Sequence, residues 1–422
     1  MDDRAQGLTR DATVSLFQPA RNTILLLLGL LVLAAPLSAA LMGHTPTLGF
    51  VVRFAAMLLA AAALALSQFR EPSLAIAGAL APLPGVSLVF CGGLDGASTA
   101  CLGALVFALG FSVALIAGDA FTVRLVDGED SRTATIRTLR ESVRLLAPAL
   151  VLGVALPVLL AATGPQQLLA ASLLLAGGNA LAVLSVWLAV PLAGSLLSGS
   201  EDFIARANRT AESWMRRLDR VALVARSPWA LSASGIWLVL ALLGVFGSLK
   251  LVIGKDLAIR PDAIGAALIL LAGAWFAARD WRRTLAVFLA AAGAAQYALW
   301  GYVRTGTALD SSLLLMTAGL SAIVFAPIAA IAASATLSGR ADAASASEAG
   351  ILNAGPAAAT GIVGTLFVLA PWYREFGTAR VGFVLAILFA AGGAFAFQPA
   401  MTTVLEGLVP RRQTLAERYR VK

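Results

Sequence analysis

Asp119 is the acidic residue best placed to do chemistry inside an apolar environment. It stands in Ala117-Gly118-Asp119-Ala120-Phe121, close to the end of a long apolar run. A charged side chain at the centre of a bilayer costs about 2.5 to 3.5 kcal/mol on insertion scales, so a residue of this kind indicates a function. Its carboxyl group can take up a proton on one side of a membrane and release it on the other. A second interpretation stays open, in which Asp119 is solvated at the membrane surface close to Arg124.

Five further polar residues are predicted to lie at membrane depth, where they are candidates for lining a substrate path. They are Arg53, Asn179, Gln296, Tyr297 and Asn353. Each also has a structural interpretation. Arg53 lies near the end of its apolar run, from which its side chain can extend to the lipid headgroups. The polar groups of the others can form hydrogen bonds between neighbouring helices.

Cys91 and Cys101 flank a short loop and are candidates for a disulfide bond in an oxidising compartment. Reduced cysteines packed as small apolar residues are the alternative. Because His44 is the sole histidine, a zinc cluster of cysteines and histidines cannot be assembled, and no cofactor is predicted. The acids of the predicted external loops are dispersed over short segments: Asp95, Asp256, Asp262, Asp310 and Glu375. No pair of a nucleophile and a base accompanies them, so an enzyme is not predicted.

The composition excludes a soluble fold. The chain has 422 residues, of which 59% are hydrophobic and 13% are charged. An average soluble domain has about 25% charged residues. The basic residues follow the ends of apolar runs and do not alternate with aromatic residues, so nucleic-acid binding is not predicted. No Gly-x-x-x-x-Gly-Lys-Ser/Thr sequence occurs, which excludes a P-loop.

Apolar runs predict an all-α, polytopic membrane protein of about twelve transmembrane helices, since a spanning helix needs about 20 mostly apolar residues. The predicted helices are 22–43, 48–68, 73–90, 99–123, 143–163, 167–197, 230–253, 263–278, 284–303, 313–338, 351–370 and 380–404. The segments outside them are an N-terminal stretch (1–21), a central linker (198–229) and a basic tail (405–422).

Topology follows from the distribution of the basic residues. If both termini are cytoplasmic, the large majority of Lys and Arg residues lie on the cytoplasmic side. The opposite orientation would reverse this excess and violate the positive-inside rule. The sequence therefore predicts a multi-pass protein of a bacterial inner membrane with both termini in the cytoplasm.

Two segments, 22–197 and 230–404, are predicted to be parallel repeats of six helices each. Pro148 recurs as Pro356, Gly153 as Gly361 and Pro191 as Pro399, at one common offset. Phe69-Arg70 ahead of the third helix is likewise similar to Trp281-Arg282 ahead of the ninth. Six helices return the chain to its starting side, so the halves are related by an axis along the membrane normal, as in several transporter folds.

Short motifs near the end of each half carry a family resemblance. The second half contains Gly355-Pro356-Ala357-Ala358-Ala359-Thr360-Gly361, Arg374-Glu375-Phe376-Gly377 and Phe397-Gln398-Pro399-Ala400. The first half has weaker copies in Ala147-Pro148-Ala149 and Val190-Pro191-Leu192. In this order the motifs resemble the end of the membrane domain of the resistance-nodulation-division (RND) superfamily, in particular its MMPL-type lipid exporters.

The resemblance implies a role for Asp119 and also shows departures. Gly118-Asp119 resembles a Gly-x-Asp-Tyr motif whose aspartate the family links to proton coupling, but Ala120 replaces the tyrosine. The tenth predicted helix, 313–338, has no ionisable residue, where family members usually place a charged partner. The gaps 44–47 and 254–262 are too short for the large extracytoplasmic domains of the family. The implied protein is a membrane core without porter domains.

Three functions remain open. The first is an inner-membrane transporter or exporter of a hydrophobic, lipid-like substrate, proton-coupled through Asp119. The second is a major-facilitator-type carrier, which the chain length allows, although the loop 69–73 lacks the signature expected there. The third is a non-transporting scaffold subunit of a larger export assembly. Membrane lipids, a periplasmic partner protein and a second copy of the chain are the predicted partners.

Overall fold

The computed structural model describes residues 48–195, 261–290, 311–339 and 343–376, with individual positions between 205 and 232 and between 381 and 405. Within these residues the regular structure is helical, and no strand occurs among them. The same residues contain seven stretches that are long and apolar enough to cross a membrane. The predicted helices 22–43 and 230–253, the candidates Gln296 and Tyr297, and most of the linker and tail lie outside the described residues. The total of twelve helices therefore stays a prediction.

The described helices are numbered in chain order. They are α1 (Leu48–Phe69), α2 (Pro72–Leu80), α3 (Leu83–Phe90), α4 (Gly96–Val126), α5 (Ser131–Thr163), α6 (Leu169–Ser195), α7 (Pro261–Ala278), α8 (281–290), α9 (Ser311–Leu337), α10 (Ala343–Leu369) and α11 (Tyr373–Phe376). Short 3-10 turns, Gln166–Leu168 and Ala370–Trp372, precede α6 and α11.

Three helices differ clearly from their predicted bounds, and one of them, α10, begins at Ala343 and not at residue 351. The predicted helix 73–90 is interrupted, because Pro82 has no N–H for the hydrogen bond that would continue α2 into α3. The helix predicted to begin at residue 143 begins at Ser131. Its first turn is capped by Asp130, whose Oδ2 accepts the backbone N–H of Thr133 at 3.2 Å. The hydrogen bonds from Thr133 also hold the pKa of Asp130 below its usual value. The charged stretch that follows Ser131 is thus helical although it is not apolar.

Helices α4 and α9 occupy the centre of the described bundle. Helix α4 packs against α5, α6, α9 and α10, while α9 packs against α4, α5, α7 and α10. Every residue of α4 from Leu102 to Gly118 is buried. A helix that is apolar on all sides is expected to be buried in this way. The central position of α4 is what brings Asp119 into contact with several other helices.

Asn179 repairs the hydrogen bonding of a helix that contains proline. Pro157 in α5 lacks an N–H, so the carbonyl oxygen of Gly153 loses its partner within the helix. The Nδ2 group of Asn179 in α6 donates to that oxygen at 2.8 Å. Because backbone groups in a membrane need partners within the protein, this bond stabilises the α5–α6 contact.

The two ends of the bundle differ in charge. One end, called the arginine face, holds the turns 70–71, 127–130, 279–280 and 338–339, with Arg70, Arg124, Arg137 and Arg279 near them. The other end, called the opposite face, holds the turns 91–95 and 164–165 and the segment 370–376.

Arg70 and Arg279 end α1 and α7 with the same turn. Their φ angles are 52° and 48°, in the left-handed region that few residues other than glycine adopt. Their backbone N–H groups donate to Leu66 at 2.8 Å and to Trp275 at 2.9 Å. An acidic residue follows each arginine. Arg70 and Arg279 thus end their helices with the same backbone turn, while the predicted pairing of Phe69-Arg70 with Trp281-Arg282 stays a prediction.

Candidate functional site

A polar cavity of about 170 Å³ lies between α4, α5, α9 and α10, at their arginine-face ends. Its polar lining is Asp119, Arg124, Asp127, Thr138, Glu141, Ser334, Ser338 and Asn353. Apolar residues of α4, α9 and α10 close the remaining walls. Asp119 lies about two helical turns from the end of α4, so the cavity connects a membrane-level carboxyl group with the arginine face.

Asp119 contacts two other helices through one glutamine. The Nε2 group of Gln68, at the end of α1, donates to Oδ1 of Asp119 at 3.4 Å. The hydroxyl of Thr360 in α10 donates to Oε1 of Gln68 at 3.0 Å. Gln68 is only 6% exposed, so both of these hydrogen bonds are shielded from solvent. A change at the carboxyl group of Asp119 therefore alters hydrogen bonds of α1 and α10.

Gly118 allows this contact to form. A Cβ atom at position 118 would lie 2.4 Å from the ring of Phe69, which is itself only 2% exposed. With no side chain at Gly118, the end of α1 packs directly onto α4 and places Gln68 beside Asp119. The Gly-Asp pair is thus a packing motif as well as a chemical one.

The second oxygen of Asp119 has no partner among the residues that the structure describes. Its Oδ2 atom is buried and makes no hydrogen bond among the described residues. The hydroxyl of Thr138, which lines the same cavity, is also buried and has no partner there. An ionised carboxylate accepts hydrogen bonds, whereas the protonated acid also donates one. The free oxygen is a suitable place for a proton that enters from the cavity.

The arginine nearest to Asp119 in the chain is already paired with acids. The Nη1 group of Arg124 lies 3.2 Å from Oε1 of Glu129, and its Nη2 group pairs with Glu141. Glu129 also pairs with Arg137. Arg124 therefore serves the α4–α5 connection, and its contacts do not provide a counter-ion for Asp119.

Polar groups continue from Asp119 toward the middle of the bundle. Ser112 lies seven residues earlier on the same face of α4, about 10 Å away along the helix. Its buried hydroxyl has no partner in the described part of the chain. A Cβ atom at Gly361 of α10 would lie 2.8 Å from that hydroxyl oxygen. Ser112 thus packs against Gly361, the residue after Thr360, at the α4–α10 interface.

The structure disperses the remaining candidates for a substrate path. Arg53 forms an ion pair with Glu375 at the opposite face, beside a hydrogen bond of 3.3 Å from Trp372 to the sulfur of Met57. Asn179 is buried between α5 and α6. Asn353 is the one of the three that lines the cavity with Asp119.

Cys91 and Cys101 form no disulfide bond in the structure. Of the two alternatives left open by the sequence, the structure has the reduced cysteines and not the disulfide bond. Cys91 is exposed in the turn after α3. Cys101 lies within α4 and packs on the apolar core. The two cysteines therefore occupy different environments despite their similar predicted depth.

Gln68 and Thr360 are parts of the site that the sequence does not indicate. Gln68 was predicted as the last residue of an apolar helix, where a polar residue is unremarkable. Thr360 belongs to the motif that carries the family resemblance, but nothing in that motif indicates a contact with α1. Only the packing of α1, α4 and α10 brings the two residues together.

Comparison with known proteins supports the membrane fold. No protein-family model matches the sequence, and no curated protein matches it. A crystal structure of SecDF from Thermus thermophilus, described as a translocon-associated membrane protein, has a TM-score of 0.58 and 14% sequence identity. The match covers 86% of this chain and 63% of that one.

A second SecDF structure, in a super-membrane-facing form, has a TM-score of 0.57 and 14% identity, covering 89% of this chain and 64% of that one. This chain thus spans less than two thirds of the length of either SecDF chain. At 14% identity, the likeness shows that this chain has a membrane fold similar to that of SecDF.

Proposed function

We propose that this chain is a proton-coupled transporter of the RND type, in which Asp119 binds and releases the transported proton. The observation that carries the proposal is the position of Asp119. Its carboxyl group lies in a polar cavity, has one buried oxygen without a partner in the described residues, and is linked through Gln68 to Thr360. The likeness to SecDF supports an RND-type protein over a major-facilitator carrier.

Protonation of Asp119 would change the contacts between three helices. The amide of Gln68 donates to Asp119 and accepts from Thr360. A hydrogen bond to an ionised carboxylate is stronger than one to a neutral acid. When Asp119 is protonated, Gln68 is held less tightly, and α1 and α10 can shift relative to α4. This change is the step that couples proton movement to conformation.

We place the arginine face in the cytoplasm and the protein in a bacterial inner membrane, with both termini cytoplasmic. The arginines near the turns of this face support that orientation, because the positive-inside rule applies to short cytoplasmic connections. The cavity around Asp119 then connects with the cytoplasm. A proton that arrives from the other side of the membrane would leave through this cavity.

The proposed substrate is hydrophobic or lipid-like, as in the MMPL-type exporters that the sequence resembles. The segments 44–47 and 254–262 provide too few residues for the large external domains of the family. A substrate that stays within the membrane does not need such domains. Helices of the described bundle also expose large apolar side chains, among them Leu59, Val363 and Phe367, from which a hydrophobic molecule can approach.

A second candidate function is a membrane subunit of a protein-export assembly. It is favoured by the description of one SecDF neighbour as translocon-associated. In this case a periplasmic partner would supply the domains that this chain lacks. Purification of the chain in a mild detergent, with mass spectrometry of the proteins that accompany it, would reveal such a partner.

Lipid movement in proteoliposomes tests the proposed function. Wild type, Asp119→Asn and Asp127→Asn would be compared for the transfer of a fluorescent phospholipid between leaflets, with and without a pH gradient. Asp127 lines the same cavity but is exposed at its rim, so its variant is the matched control. We expect gradient-dependent transfer in wild type and in Asp127→Asn and its loss in Asp119→Asn. If lipid transfer is the same with and without the pH gradient in all three proteins, proton coupling is refuted.

A further inference from the structure

Helices α7 and α8 form an open groove of about 510 Å³ on the side of the described bundle that faces away from α5 and α9. Its lining is Leu268, Leu271, Ala272, Trp275, Phe276, Trp281, Thr284 and Leu285. About half of the surface of Trp275 (51%) and of Trp281 (49%) is exposed there. The volume falls within the roughly 300 to 1,000 Å³ that is usual for ligand sites. The groove is apolar along most of its length.

In the described part of the chain, one polar group of the groove lacks a partner. Thr284 is only 4% exposed, and its hydroxyl makes no hydrogen bond among the described residues. A buried hydroxyl without a partner is unfavourable, and most such groups in proteins are satisfied. An oxygen atom of a ligand in the groove would satisfy it. This hydroxyl therefore indicates that the ligand has a polar end near Thr284.

Arginines follow the groove-lining residues of α7 in the chain, in the turn to α8 and at the start of α8. Arg279 is exposed and stands in the turn between α7 and α8, directly after the last residue of α7 and two residues before Trp281. Arg282 is only 5% exposed, and its guanidinium carbon lies 5.6 Å from the ring centroid of Trp281. The Nε group of Arg282 has no hydrogen-bond partner within the described residues.

Within the described residues, the acid of this turn forms no ion pair with Arg279 or Arg282. The carboxylate of Asp280 accepts the backbone N–H of Arg282 at 3.1 Å and caps the start of α8. Arg283 stands next to Arg282 and donates to the hydroxyl of Thr336 in α9 at 3.3 Å. The arginine-face end of the groove is thus positively charged, while the rest is apolar.

We propose that the groove is a binding site for an anionic phospholipid. One acyl chain lies along α7 between Trp275 and Leu268, and the phosphate lies near Arg279, Arg282 and Thr284. Tryptophans and arginines at one end of an apolar surface match the interface between the hydrocarbon and the headgroups of a leaflet. Basic residues at that level attract anionic lipids. This inference does not depend on proton coupling by Asp119.

Quenching of tryptophan fluorescence by brominated lipids tests the site. The protein would be reconstituted in phosphatidylcholine vesicles that contain a small fraction of either brominated phosphatidylglycerol or brominated phosphatidylcholine. The signal of the site is the quenching that disappears in the variant Trp275→Phe/Trp281→Phe. We expect this signal to be larger with the anionic lipid, and to fall roughly fivefold in apparent affinity when one arginine is removed.

Arg279→Gln is the main variant, because Arg279 is exposed and its loss leaves the packing of the bundle intact. Arg282→Gln and Thr284→Val extend the test to the buried groups. Arg70→Gln is the matched control, since Arg70 has the same left-handed turn at the end of α1. The anionic preference should persist in Arg70→Gln and weaken in the other three. Equal quenching by both lipids in wild type, or no quenching of these tryptophans because protein covers the groove, would overturn the proposal.

Discussion

Helices α4 and α9 run through the middle of the described bundle, and 94% and 89% of their apolar stretches are buried. Helix α4 carries Asp119 in its last third. Helix α9 carries no ionisable residue at all, and alanines fill much of its length. At the offset of the predicted repeat, the residue that corresponds to Asp119 is Pro327 of α9.

The difference shows what kind of coupling the site can support. A charged partner on α9 would hold an ionised carboxylate in place across the interface. Here the contacts of Asp119 are with the neutral Gln68, and the guanidinium of Arg124 is paired with Glu129 and Glu141. Coupling would therefore depend on the carboxyl group of α4 and on neutral hydrogen-bonding groups of α1 and α10. Helix α9 would contribute packing and the serines of the cavity wall.

Moving the carboxyl group from α4 to α9 tests whether its position on α4 is required. Ser334 of α9 lines the same cavity as Asp119. In Asp119→Asn we expect gradient-dependent lipid transfer to fall to the level of empty vesicles. In Asp119→Asn/Ser334→Asp we expect part of it to return, because the cavity again contains a carboxyl group that can exchange protons. Transfer in proteoliposomes measures both changes.

Ser334→Asp alone is the control for this transplant. If the double variant stays inactive while Ser334→Asp alone is active, the position on α4 is itself essential. The difference between the two central helices would then be a requirement of the mechanism.

A smaller effect is expected from the neutral contacts of Asp119. Thr360→Val removes the hydroxyl that donates to Gln68, while Thr360→Ser keeps it. One hydrogen bond contributes about 0.5 to 1.5 kcal/mol, so we expect a loss of roughly twofold to tenfold in the gradient-dependent rate in Thr360→Val. The rate in Thr360→Ser should stay close to wild type. Equal rates in both variants would show that α10 does not sense the carboxyl group through Gln68.

A further prediction concerns the packing of the two helices and affects stability, not the transfer rate. A Cβ atom at Gly118 of α4 would meet the ring of Phe69 at 2.4 Å, whereas one at Gly319 of α9 would meet a flexible atom of Leu105 at 3.1 Å. We expect Gly118→Ala to lower the free energy of unfolding by about 1 to 3 kcal/mol, as overpacking does elsewhere. Gly319→Ala should have the smaller effect. Unfolding in detergent by added SDS compares the two, and a larger loss for Gly319→Ala would contradict the packing of α1 on α4.

Much of the membrane fold could be predicted from apolar runs, because burial in lipid requires long uninterrupted hydrophobic segments. The predicted helix bounds were wrong where a proline or a capping residue determines the point at which a helix ends or begins. Pro82 divides a run that looked continuous, and Asp130 starts α5 well before the run becomes apolar. Both are local effects of proline and of capping, which a hydrophobicity pattern does not record.

The candidate site was predictable only in part. Asp119 was identified because an acid in an apolar helix is costly and therefore informative. Gln68 was not identified, because an amide at a helix end is inexpensive and common. Arg53 was assigned to the lipid headgroups or a substrate, but its partner is Glu375, which is far away in the sequence. Contacts between distant helices depend on packing that a single sequence does not reveal.

Chemical labelling of Asp119 by a hydrophobic carbodiimide tests the central claim most directly, since this reagent reacts with protonated carboxyl groups in apolar surroundings and needs no substrate. The protein in proteoliposomes would be labelled over a range of pH, and the modified residues would be located by mass spectrometry. The account predicts labelling of Asp119 that decreases as the pH on the arginine face rises, with little labelling of the exposed Asp127. If Asp119 remains unlabelled at every pH, or if Asp119 and Asp127 are labelled alike, Asp119 is an ordinary solvated carboxylate and the proposed coupling is contradicted.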